Sequence, residues 1–140
     1  MGFLTAIRSC FEKYVTFSGR ARRAEYWWWA LFVMIGSLIL GGVDTIFFGV
    51  PEITGPTAGL FSLLTFLPGL AVWVRRLHDV GRSGWWVFLI VIPLIGWIVL
   101  LVWAASRGDQ GANRYGADPV TEAEDGRPLS ASGIPPVERR

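Results

Sequence analysis

Residues 20–48 read RARRAEYWWWALFVMIGSLILGGVDTIFF, and this stretch decides the fold class. It opens on Arg20, Arg22 and Arg23, passes through Tyr26-Trp27-Trp28-Trp29, and reaches Phe48 with only Ser37, Asp44 and Thr45 as polar interruptions. A basic collar followed at once by an aromatic belt marks the entry of a helix into a bilayer. Cations rest among anionic headgroups, and indole rings settle at the boundary of water and hydrocarbon. From Trp27 to Phe48 there are about 22 residues, which at 1.5 Å of rise cover roughly 33 Å and cross a hydrocarbon core of about 30 Å. Gly36, Gly41 and Gly42 within this run permit close helix approach, so a homo-oligomer or association with another membrane protein is an expectation.

Working outward, the whole chain agrees. Of its 140 residues 52% are hydrophobic and eight are tryptophan, more apolar surface than a water-soluble domain of this size can hide. The expected fold is an all-α integral membrane protein with about three transmembrane helices and an N-terminal amphipathic interfacial helix. Residues 3–17 form that first helix: Phe3, Leu4, Ile7, Phe11, Tyr14 and Val15 share a stripe, with Arg8, Glu12 and Lys13 opposite. Packing of the same stripe against the ends of the spans is the alternative. No cleavable leader is expected, because the first apolar run is too long for a signal core.

After the first span, Gly49-Val50-Pro51-Glu52-Ile53-Thr54-Gly55-Pro56 is a loop by its turn residues and an outside loop by its lack of bases. The second span covers about 57–74, and Pro68-Gly69 should kink it where neighbouring helices satisfy the freed carbonyls. The third, about 85–105, carries no charge and begins at Trp85-Trp86. Pro93 and Gly96 at its middle leave a second possibility open, a re-entrant hairpin that returns the C-terminus to the side it came from. A polar loop over 106–119 completes one membrane domain, 1–119, and the Glu-, Pro-, Gly- and Ser-rich tail 120–140 is expected to be disordered.

Charge sets the orientation. Five bases against Glu12 and Glu25 give the N-terminal segment +3, and Arg75, Arg76 and Arg82 against Asp79 give the second loop +2, so both face the cytoplasm, with the N-terminus inside. The side of the C-terminus depends on the third apolar stretch.

Three blocks carry a family resemblance: Phe17-x-Gly19-Arg20-x-Arg22-Arg23-x-Glu25-Tyr26-Trp27; Arg75-Arg76-Leu77-His78-Asp79-x-x-Arg82-Ser83-x-Trp85-Trp86; and Gly108-x-x-Gly111-x-Asn113-Arg114-Tyr115-Gly116-x-Asp118-Pro119. Over roughly residues 11–119 the chain resembles the bacterial domain-of-unknown-function family 805. The resemblance implies a multi-pass protein of the bacterial inner (plasma) membrane and implies no activity. The chain departs from the usual pattern at Asp109, Ala112 and Ala117, where threonine and prolines are common in the family.

The arginines are the strongest chemical signal. A guanidinium offers a planar fork of donors to two oxygens, so Arg20, Arg22, Arg23, Arg75, Arg76, Arg82 and Arg114 are candidate contacts for anionic lipid headgroups or a protein partner. The simpler account is that they only enforce topology. Nucleic acid is not needed to explain them. Glu25 and Asp79 are placed to reach arginines of the other loop and clamp the ends of the first two spans. Asn113 belongs to a compact turn. His78 beside Asp79 resembles half of an acid/base pair, but neighbours in a helix do not face each other and no nucleophile completes it, so no enzyme is expected. Asp44 is the one carboxylate inside a span. It is either an anchor near the far interface or a group that handles protons or cations. With one cysteine, Cys10, and one histidine, neither a disulfide nor a metal site is expected, and no cofactor. Two functions follow as expectations: a lipid- or protein-binding assembly module, or a minimal transporter or channel subunit acting as an oligomer.

Overall fold

A computed structural model describes residues 2–51 and 55–120. Those residues form four α-helices and one 3-10 segment: α1 (Phe3–Glu12), α2 (Arg23–Phe48), α3 (Pro56–Asp79), the 3-10 segment (Gly84–Val91) and α4 (Ile95–Ala105). The tail 121–140 and residues 52–54 of the connecting loop lie outside the described residues, so the expected disorder of the tail is not addressed.

The two long helices pack side by side as an antiparallel pair, and both are long and apolar enough to cross a membrane. At 26 and 24 residues they measure roughly 39 and 36 Å by helical rise. Their outer faces, with Ile39, Ile46 and Leu63 largely exposed, are apolar and uncovered by the other described elements. Each begins or ends a few residues outside its expected span, because helical backbone continues beyond the apolar run that sequence reading detects.

At the end away from the arginines, Asp44 holds the pair together. Its Oδ1 accepts from Thr57 N–H at 3.1 Å and from the Thr57 hydroxyl at 2.6 Å, and its Oδ2 accepts from Ala58 N–H at 2.9 Å. These are amides of the first turn of α3, which have no partner within their own helix. A carboxylate there satisfies them and lies at the positive end of the helix dipole. Pro56 at the first position of α3 has no N–H to satisfy.

Pro68 lies inside α3 without ending it. Lacking an N–H, it leaves the Leu64 carbonyl without its usual partner four residues on. The Tyr14 hydroxyl donates to that carbonyl at 2.6 Å, from the segment that follows α1. The first helix therefore packs on the pair, with Phe3 edge-on to Trp28 and Phe11 edge-on to Trp29. It is shorter than the expected 3–17, and part of its stripe faces outward, Leu4 at 79% exposure and Val15 at 62%.

The third apolar stretch does not form the single crossing helix expected over 85–105. It folds back on itself. Ile92 is extended and Leu94 takes φ 64°, ψ −70°, with Ile95 N–H donating to Pro93 O at 2.9 Å, which is a γ-turn. The arms meet: Trp86 and Trp103 ring centroids lie 5.7 Å apart, and Trp97 Nε1 donates to Ile90 O at 2.8 Å. A side chain at Gly96 would collide with the Leu89 carbonyl, so only glycine permits the arms to approach this closely. Proline removes the hydrogen bond that a continuous helix needs here, and the small residue three positions on lets the returning arm close.

Candidate functional site

Because α4 returns, all three motif blocks converge at one end of the helix pair. The last turn of α3 supplies Arg75, Arg76, His78 and Asp79, all buried. α3 ends in a Schellman motif: Gly81 N–H donates to His78 O at 3.0 Å and Arg82 N–H to Leu77 O at 2.8 Å. Gly81 has φ +74°, the left-handed conformation this motif requires.

Asp79 sits between two guanidiniums. Arg20 approaches Oδ1 through Nε at 3.0 Å and Nη2 at 2.9 Å, and Arg76 Nη1 donates to Oδ2. Arg20 then reaches into the last block, donating to Asp109 O at 2.5 Å and Gly111 O at 2.6 Å. Arg76 holds the C-terminus of α4, donating from Nε to Ala104 O at 3.0 Å and from Nη2 to Ser106 O. Arg23 adds a bond to Ala105 O at 3.3 Å. Cations thus satisfy the orphan carbonyls at the negative end of α4, and this ties down the returning arm.

A second ion pair lies beneath α1. Arg75 Nη1 donates to Glu25 Oε1 at 2.7 Å, and the same oxygen accepts from Ser9 Oγ at 3.2 Å and Cys10 Sγ at 3.7 Å. Burial, with Glu25 beside it, pushes the Cys10 thiol up to about 12. Nε and Nη2 of Arg75 are buried with no hydrogen-bond partner among the described residues.

These contacts divide the expected site residues. Arg20, Arg75 and Arg76 are buried and paired internally, so they do not present themselves to headgroups as expected. Each faces a buried carboxylate, and removing either partner would leave the other charge buried and uncompensated. Glu25 and Asp79 do clamp the two loops. Asp44 is an anchor by its contacts. His78 does not pair with Asp79: its Nδ1 bonds Gly19 O at 2.9 Å and its ring stacks on Tyr115 with centroids 4.0 Å apart. Asn113 bridges His78 O at 2.9 Å and Asp109 Oδ2 at 3.1 Å. Arg114 covers the Tyr115 ring and Arg82 the Trp103 ring.

What remains open is a polar crevice of about 630 Å³ whose lining includes Arg22, Arg23, Arg107, Asp79, Asp109 and Asp118. Among the described residues, Arg22, Arg23 and Arg107 form no ion pair. Arg107 was not among the expected site residues, and no spacing rule could have found it. It reaches the crevice only because α4 turns back. No group of three or more His, Cys, Asp or Glu placed to hold a metal occurs among the described residues.

The family described as "Protein of unknown function (DUF805)" matches residues 14–117. The chain is 46% identical to "Inner membrane protein YhaI" of Escherichia coli (strain K12), covering 79% of this chain and 92% of that protein. It is 42% identical to "Inner membrane protein YhaH" of the same strain, covering 79% and 93%. Identity to "Uncharacterized protein YiiR" of that strain is 30%, covering 74% and 85%. No solved structure matches the chain.

Proposed function

Since this chain belongs to the DUF805 family and its relatives are inner membrane proteins of bacteria, we propose that it is an inner-membrane binding and assembly module whose crevice holds anionic headgroups. The observation that carries this is the trio Arg22, Arg23 and Arg107 around an open cavity of about 630 Å³, while Arg20, Arg75 and Arg76 are held in buried ion pairs. Guanidiniums that form no ion pair among the described residues attract phosphate, each contributing about 1 kcal/mol near an anionic surface.

In the same reading the chain crosses the membrane twice, with both termini in the cytoplasm. The positive loop segments lie at the charged end, and the connection around residues 49–55 carries no base. The transporter alternative rests on Asp44 and on a helix broken at Pro68-Gly69, and α3 continues through Pro68. Asp44, the carboxylate that motivated it, has both oxygens engaged by the first turn of α3.

Lipid retention tests the binding reading. Purified protein is reconstituted with equal phosphatidylglycerol and phosphatidylcholine, stripped by detergent exchange, and its remaining lipid is quantified. The parent should keep phosphatidylglycerol in excess, and Arg22→Glu/Arg23→Glu/Arg107→Glu should lose that excess. Equal retention of both lipids by the parent, or an unchanged excess in the variant, overturns the reading.

A further inference from the structure

A second cavity, of about 970 Å³, runs between α2, α3 and the 3-10 segment. Its walls are almost wholly apolar: Trp29 and Val33 from α2, Phe66 and Leu70 from α3, Val87 and Phe88 from the 3-10 segment. The elements that form it are the ones expected at bilayer depth, and water gains little in an apolar space of this kind. Hydrocarbon from the surrounding bilayer fills it without penalty.

At its charged end the cavity changes character. His78 and Ser83 line it there. His78 is only 9% exposed, and its Nδ1 faces the Gly19 carbonyl, which can only accept, so Nδ1 carries the hydrogen. In the neutral ring Nε2 is then an acceptor. Among the described residues no hydrogen bond is made to Nε2, and a Cβ placed on the lining residue Gly84 would stand 3.5 Å from it, so it faces the cavity. On a residue nine-tenths buried, an acceptor open to the polar end of an apolar slot and without a donor among the described residues calls for a hydroxyl.

We propose that this cavity takes one acyl chain of a membrane phospholipid whose hydroxyl-bearing head donates a hydrogen bond to Nε2 of His78. The slot deepens the lipid-binding reading above at residues separate from the arginine crevice. It differs from ordinary annular contact in being lined by three elements, α2, α3 and the 3-10 segment, and in having a polar end-stop that sets the register of the chain.

The test uses the full chain in vesicles of phosphatidylglycerol, whose head carries hydroxyls, with a photoreactive diazirine in one acyl chain. A parallel set uses phosphatidylcholine, which has none. Adducts should concentrate on the half-buried Val33, Leu70 and Val87 over the outward-facing Ile39 and Leu63, and phosphatidylglycerol should label the slot about fivefold more, the ratio one hydrogen bond is worth. Ala30→Trp, which fills the slot and leaves the charged end untouched, should remove the slot adducts at unchanged melting temperature. His78→Phe should abolish the preference between the lipids while leaving chain labelling.

Adducts spread evenly over inner and outer faces overturn the slot, as does labelling confined to Ile39 and Leu63, the result expected if a second copy covers the groove. Equal slot labelling by the two lipids overturns the role of His78. The two readings fail separately: loss of anionic retention in the arginine variant with uniform adducts sinks the slot alone, and slot adducts without anionic retention sink the crevice alone.

Discussion

Cys10 is buried at the meeting point of three helices, against Ala21, Tyr26 and Val72. With its thiol pushed up to about 12 by burial and by the Glu25 carboxylate, it is almost entirely protonated at pH 8. The folded protein should resist maleimide labelling for hours and react fully after denaturation. Rapid labelling of the folded form would mean that α1 does not dock as described. Asp79 is a sharper case, since it serves two buried arginines at once. Asp79→Ala leaves both without their carboxylate, and removing one partner of a buried pair costs about 3–5 kcal/mol. The amount of folded protein in membranes should fall steeply. Unchanged expression and melting would remove the clamp from the account. The pairing of Asp79 with both loops was readable in the sequence as acids beside arginines. The depth at which it occurs was not, because burial depends on which segments cover it.

For the elements, the clearest test concerns α3. Pro68 frees the Leu64 carbonyl, and Tyr14 supplies the missing donor. Tyr14→Phe should cost about 1 kcal/mol in thermal or denaturant unfolding, the typical net worth of a hydrogen bond. In a Pro68→Ala background, where residue 68 can donate to Leu64 O itself, the same change should cost much less. Equal costs in both backgrounds would break the link between proline and tyrosine. A proline inside an apolar run announces an orphan carbonyl to anyone reading the sequence. That the donor comes from fifty residues upstream follows only from the docking of α1.

For the whole molecule, the hairpin over 84–105 is decisive, since it returns the chain to the charged end and gives Arg76 and Arg23 carbonyls to hold. Paired reporter fusions at residue 140, one active only in the cytoplasm and one only outside, should report a cytoplasmic C-terminus. An external C-terminus would require 85–105 to cross and would take Arg107 away from Arg22 and Arg23.

The sequence by itself determined the membrane class and the two long helices, because apolar length is a local property that no later packing can undo. It also marked Pro93 and Gly96 as a place where the third stretch could break. Only the tertiary structure decided that it does, which arginines are consumed in buried pairs and which stay open. Those outcomes rest on contacts between segments far apart in the chain, and a side chain's role as clamp or as ligand contact is set by what lies over it.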